Sequence, residues 1–387
     1  MLISMIKYDF DTVIDRRGTG AMKYDALGRL YGNTALTPLW IADMEFAACP
    51  DIVKALIDRF YGYAETPESY WESICEWLNK RHGYRPERKA LAFVPGVVRG
   101  IAYALNFFSR PGARVVIQEP VYHPFREVAE GNDRLVINNP LLPQPDGGYA
   151  MDLEGLERIF STERPKLMIL CNPHNPAGIQ WDADTLRQVA RLAKKYGVIV
   201  LSDEIHGDLM LWGGKHIPFA SVSPEAAEMS VTFGAPSKTF NIPGLVSSWM
   251  IVPNQRLRDP FYRWMEANEF SSPTFTATVG TEAAYRCGEQ WLDQLLPYIE
   301  GNVQAVEKFF AENCPKIKPL RPQASFLVWL DCRELGLTQE QLIEWFKARG
   351  LALNDGSMFG AAGTGFMRLN IAMPRAALLS ALAPLKS

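Results

Sequence analysis

The stretch KLMILCNPHNPAGIQWDADTLRQVARLAKKYGVIVLSDE, residues 166–204, sets two short apolar runs on either side of a longer amphipathic one. KLMILCNP (166–173) and VIVLSDE (198–204) are nearly continuous in apolar residues, whereas DADTLRQVARLAKKYG (182–197) carries them three and four apart, the spacing of one helix face. Outward from this stretch the same texture recurs in LAFV (91–94), RVVIQEP (114–120), SVTFG (230–234) and SWMIVP (248–253), with GVVRGIAYALNFF (96–108) as another helix-like interval. Strands this apolar, alternating with helices, predict an α/β sheet covered on both faces. After about residue 285 the pattern changes to helix (290–313), strand (325–331), helix and strand (366–374), a smaller α+β unit. The expected organisation is an N-terminal segment over 1–48 packing on that unit or on a partner subunit, a large domain over 49–285 and a small C-terminal domain over 286–387.

Composition narrows the function. A chain of 387 residues can bury a sizeable interior, and 40 basic against 43 acidic residues leave a net charge of −3 with no run of like charges. That balance offers no footprint for nucleic acid or an anionic membrane, so small molecules and other subunits are the expected partners. The six cysteines lack C-x-x-C pairs, which suits a reducing cytoplasm. No segment has the apolar length of a signal peptide or a membrane span.

In a covered α/β sheet, ligands bind at the carboxyl ends of the strands. LAFV runs into Gly96, Val97 and Val98, where a helix N-terminus offers backbone N–H groups to an anion. RVVIQEP leads to Tyr122, KLMILCNP to Asn175, VIVLSDE to Asp203 and His206, and SVTFG to Ser237 and Lys238. Taken singly, each has a plain structural role: Tyr122 as core, Asn175 as a turn former, Asp203 as a cap, Gly96 as a turn, Lys238 as a solvated loop lysine. A phosphate loop around Ser-Lys-Thr fails, because Ser237 and Thr232 stand where that motif needs glycines. A metal site of Asp203, Glu204 and His206 lacks a second ligand pair. Together, however, an amine, a carboxylate, an amide, an aromatic plate and an anion cradle are the parts that pyridoxal phosphate needs.

NPHNPAG (172–178), SDEIH (202–206) and SKTFNIPG (237–244) resemble the pyridoxal-phosphate signature of the class I and II aminotransferase superfamily, fold type I. FDTVIDRRGT (10–19), PLWIADMEF (38–46), YGY (61–63) and MRLNIA (367–372) resemble its carbon–sulfur lyase branch, of the cystathionine β-lyase and cystalysin type. The resemblance runs from about residue 8 to the C-terminus and implies a mostly parallel seven-stranded sheet in the large domain. It implies that Lys238 carries the cofactor covalently, that Asp203 pairs with the pyridine nitrogen, and that Asn175 bonds the ring hydroxyl. It further implies that Tyr122 stacks on the ring and that Val97, Val98 and Ser237 hold the phosphate. Tyr63 resembles a tyrosine that reaches the phosphate in the neighbouring subunit, which implies a homodimer with shared sites. Arg368 resembles the arginine that clamps a substrate carboxylate, and His206 is expected beside the cofactor. Ala235 and Val246 stand where many aminotransferases place a serine and an arginine for the phosphate, Glu45 where the branch has Asp, and Ala177 where it has Thr.

The implied activity is a carbon–sulfur β-lyase that cleaves L-cystathionine or a related cysteine thioether to a thiol, pyruvate and ammonia. An aminotransferase acting on an amino acid and a 2-oxo acid would share its first proton transfer. A non-catalytic protein retaining the fold is the third reading, against which the complete Lys, Asp, Asn and Arg set counts.

Overall fold

The two apolar runs that flank residues 182–197 are adjacent parallel strands, paired so that Cys171 lies opposite Asp203. The structure is a computed structural model that describes residues 6–57, 62, 64–145 and 147–386. Its larger sheet has seven strands: β1 (Leu91–Val94), β2 (Arg114–Ile117), β3 (Leu135–Asn138), β4 (Leu167–Cys171), β5 (Ile199–Asp203), β6 (Ser230–Gly234) and β7 (Ser248–Ile251). They lie in the order β1-β7-β6-β5-β4-β2-β3. All neighbours are parallel except β7, which runs antiparallel to both β1 and β6. Alternate residues of each strand enter opposite layers: Leu167, Ile169 and Cys171 of β4 face one core, Met168 and Leu170 the other. Burial of Ile169, Leu201 and Val231 contributes about 1.5–3 kcal/mol for each side chain.

Helices fill both layers. α1 (Met22–Asp25) is one turn, α2 (Glu68–His82) buries Tyr70, Ile74, Trp77 and Leu78 in the core shared with the C-terminal part, α3 (Val97–Phe108) covers one face of the sheet and α4 (Ala183–Tyr196) the other. α3 buries Val97, Ile101, Ala104 and Leu105 at helical spacing, and Gly100 lets it sit down on β6, since a Cβ there would come within 2.7 Å of the Phe233 ring. α4 starts where Asp182 accepts from the Thr185 N–H and ends at Gly197. α5 (Pro236–Thr239) is a single turn after β6, opened by Pro236 at its first position.

The C-terminal part is built on α6 (Glu289–Asn313), which buries Trp291, Leu295, Ile299, Val303, Val306 and Phe310, and on α7 (Gln339–Lys347). Four antiparallel strands pair in the order β8-β9-β11-β10: β8 (Lys318–Leu320), β9 (Leu327–Asp331), β10 (Asn354–Asp355) and β11 (Phe366–Asn370). The N-terminal segment lies against this part. Thr37–Pro38 runs parallel to Leu351–Ala352, and Phe10 packs edge-on against Phe46 and Trp291. From there residues 39–46 cross to the large sheet. Leu39 O accepts from the Asn370 N–H, the Glu45 N–H donates to Ala372 O, and the Asn241 amide bonds Met44 and Phe46. Among the described residues no helix is long and apolar enough to cross a membrane.

Candidate active site

The carboxyl ends of β1, β4, β5 and β6 surround a cavity of about 290 Å³. Gly96, Val97, Val98, Tyr122, Asn175, Asp203, His206, Ser237 and Lys238 all line it. Arg368 of β11 stands just behind, its Nη1 donating to Asn175 Oδ1 at 3.0 Å. Tyr63 lies outside the described residues.

Lys238 sits on α5, whose neighbour Thr239 donates its hydroxyl to Asp208. The same carboxylate accepts from Trp77 Nε1 and pairs with His82 Nε2, each at 2.9 Å, so α5 is bolted to α2. The Lys238 amine donates to the Ala42 carbonyl at 2.6 Å. Loss of water around it, and then the positive Arg368, push its pKa down to about 8, against the pull of Asp43 and Asp203. A lysine that is largely neutral a little above pH 8 can act as nucleophile and base.

Asp203 ends β5 with a side chain that is 4% exposed. Its Oδ1 accepts from the Ile205 N–H at 3.0 Å, and among the described residues no cation lies within ion-pair distance. Burial, with Glu204 adding to it, raises its pKa to about 7. A carboxylate held in this way is ready for a cationic ring nitrogen, which would return it to the ionised form. His206, also buried, has an Nδ1 without a partner; burial first, then Lys238 and Arg368, lower its pKa to about 3, so the ring is neutral. Tyr122, whose ring meets Phe125 edge-on, keeps its phenol proton because burial raises its pKa.

The anion cradle begins at Gly96. Its φ of +117° is open to glycine, and it turns the chain so that the first N–H groups of α3, which have no partners within the helix, open towards the cavity. Val246, at φ +52° and 43% exposed, also lines the cavity without bringing charge. Arg99 in the first turn of α3 also lines the cavity and holds Pro95 O at 3.0 Å.

Arg368 is 3% exposed, lies over the Phe359 ring, and donates from Nη2 to Asn354 Oδ1 at 2.6 Å and to Trp40 O at 3.4 Å. Its Nε has no partner, and burial lowers its pKa to about 10. A buried guanidinium with an uncommitted donor beside the cavity suits a substrate carboxylate. Asp203 without a cation, the open helix N-terminus and the uncommitted Nε together fit pyridoxal phosphate and an amino-acid substrate.

Several contributors escape a reading by residue type. Ala42 and Trp40 act through backbone carbonyls. Asn354 and Asp208 lie outside any motif, and Lys23, buried beside Asp43 and Glu45, sits in a stretch without helical patterning.

The family described as aminotransferase class I and II matches residues 36–385. The cystathionine beta-lyase PatB of Bacillus subtilis (strain 168) is 41% identical over 98% of this chain and 99% of its own. The protein MalY of Escherichia coli (strain K12) is 34% identical over 98% of each. The crystal structure of cystalysin from Treponema denticola, which contains a pyridoxal 5′-phosphate cofactor, superposes with a TM-score of 0.94 at 31% identity over 98% of both chains.

Proposed function

Because the chain belongs to the aminotransferase class I and II family, we propose that it is a pyridoxal 5′-phosphate-dependent carbon–sulfur β-lyase. Its substrate is L-cystathionine or a related cysteine thioether, cleaved to a thiol, pyruvate and ammonia. The observation that carries this is full-length similarity to a cystathionine β-lyase together with a buried amine and a buried carboxylate on one cavity and a buried guanidinium just behind it.

When bound, the cofactor supplies an electron sink next to the substrate α-carbon. Lys238 would hold it covalently. Its amine, which donates to the Ala42 carbonyl and whose pKa burial lowers to about 8, would serve as the base for the substrate α-proton. Asp203 would keep the ring nitrogen protonated, and Asn175, fixed by Arg368, would bond the ring hydroxyl. Tyr122, on the cavity wall, would hold the ring by stacking. His206, neutral, lies beside it without competing for the charge of Asp203. The α3 N–H groups at Val97 and Val98, with Ser237, would hold the phosphate. Arg368 binds the substrate carboxylate through its uncommitted Nε.

The chain works as a homodimer in which Tyr63 reaches the partner's phosphate; the support is the YGY segment at 61–63 and a cradle that Val246 leaves without an arginine. The six unpaired cysteines agree with a reducing cytoplasm. Incubating the purified protein with L-cystathionine, and separately with L-alanine plus a 2-oxo acid, tests the reading. Pyruvate and thiol from the first are expected. New amino acid from the second alone would make the chain an aminotransferase, and no turnover of either would leave the fold without this chemistry.

A further inference from the structure

The carbonyl that receives Lys238 belongs to the strap of residues 39–46, and a buried ion cluster stands behind that strap. Lys23 on α1 is 2% exposed; its Nζ lies 2.8 Å from Glu45 Oε1 and 3.3 Å from Asp43 Oδ1, and donates to Asp43 O at 3.1 Å. Arg16 reaches Asp43 Oδ2 at 2.8 Å, Glu45 Oε1 at 3.2 Å and Met44 O at 3.2 Å. Tyr24 donates to Glu45 Oε2 at 2.9 Å. Lys23 and Glu45, at side-chain exposures of 2% and 5%, are out of water at a cost of several kcal/mol for each ion before pairing, while Asp43 at 16% and Arg16 at 26% keep some hydration; an apolar plug would hold a strap as firmly. What an apolar plug lacks is charge beside the amine. Asp43 is the residue next to the carbonyl that holds Lys238, and its Oδ1 makes no hydrogen bond.

We propose that Asp43, held by Lys23 and Arg16, is a positioning residue for Lys238: it fixes the Ala42 carbonyl on which the free amine rests and keeps a negative charge one residue away from it. The groups that face Lys238 come from four places. Asp203 ends β5 and the neutral His206 follows it, Tyr122 follows β2, Arg368 belongs to β11, and Asp43 and Lys23 to the N-terminal segment. Asp43 and Asp203 favour the charged amine; Arg368 and Lys23 oppose it. Glu45 spends both oxygens on Lys23, Arg16 and Tyr24. The cluster therefore places one charge of each sign near the amine, and their removal acts in opposite directions.

This inference rests on Lys238 as the reacting amine. In the holoenzyme, the pH midpoint of the visible absorbance of the bound cofactor reports the charge on the Lys238 nitrogen. Asp43→Asn should lower that midpoint by about one pH unit, because it removes a charge that favours the cation. Lys23→Gln should raise it, and Glu45→Gln, which loosens the same cluster, should move it less than Asp43→Asn does. Asp43→Glu should restore the wild-type value. Shifts of the same sign for Asp43→Asn and Lys23→Gln, or an equal shift for Glu45→Gln, would reduce the cluster to a brace and overturn the proposal. If the Lys23 variant does not fold, the ordering of Asp43→Asn, Asp43→Glu and Glu45→Gln decides alone. Should the protein bind no cofactor, the functional reading fails rather than this one: the pH midpoint for acylation of Lys238 by acetic anhydride, read by peptide mass spectrometry, must still follow the same order or refute it.

Discussion

Replacing Arg368 by lysine keeps a positive charge and removes the fork. The guanidinium has five N–H donors; Asn175 and Asn354 engage two at 3.0 and 2.6 Å, and the 3.4 Å contact to Trp40 O is long. The Nε–H is uncommitted, so a carboxylate can take it together with a second donor. A lysine at 368 replaces that pair with one point contact and leaves two amide oxygens wanting. Losing one charge-assisted bond costs about 1.5–3 kcal/mol, which is roughly a 10- to 150-fold weaker dissociation constant. L-alanine, which carries the carboxylate but no sulfur leaving group, can be titrated into the cofactor-loaded protein by absorbance, with ethylamine as the amine that lacks a carboxylate. Arg368→Lys should weaken alanine by that factor and leave ethylamine unchanged. Equal weakening of both would mean that the pocket collapses, and no weakening would remove Arg368 from substrate binding.

Lys238→Ala should abolish the borohydride-fixed link between cofactor and chain and lower turnover by several orders of magnitude; near-normal turnover would overturn the site as a whole. Asp203→Asn keeps an acceptor for the Ile205 N–H and removes a carboxylate that burial already disfavours, so the melting temperature should hold while turnover falls by about tenfold or more. Unchanged turnover would leave Asp203 as a structural cap. Mixing inactive Tyr63→Ala and Lys238→Ala proteins under subunit exchange should regenerate one intact site in each heterodimer, since both lesions collect in one composite site. Heterodimers as inactive as their parents would remove the shared site.

Strands β1, β2, β4, β5, β6 and β7 are legible as apolar runs because both of their faces are covered, β1 included although it ends the sheet. The edge strand β3, LVIN at 135–138, is not, because every one of its residues keeps some exposure and its pattern blends into the surrounding loop. In the site, Lys238, Asp203, Asn175 and Tyr122 announce themselves by chemistry at strand ends. Ala42 and Trp40 cannot, since any residue supplies a carbonyl. Lys23 escapes for a different reason: a lysine in MKYDALGRL reads as solvated, and its burial depends on carboxylates about twenty residues away that only the folded strap brings to it.

Beyond Asn241, the strap of residues 39–46 is held by partners made near the end of the chain: Asn370 donates to Leu39, Ile41 and Asp43, and Ala372 accepts from Glu45. During synthesis, at about 5–20 residues per second, the strap waits roughly 15–65 seconds for those partners to be made. A nascent chain that has completed the seven-stranded sheet already carries Lys238, Asp203 and the Asn241 amide that bonds Met44 and Phe46, but not Arg368, Asn370 or Ala372. The full set of hydrogen bonds to the strap is thus completed only at the end of chain growth, and a ribosome stalled before residue 366 would carry a chain in which Asn175 still lacks its guanidinium partner.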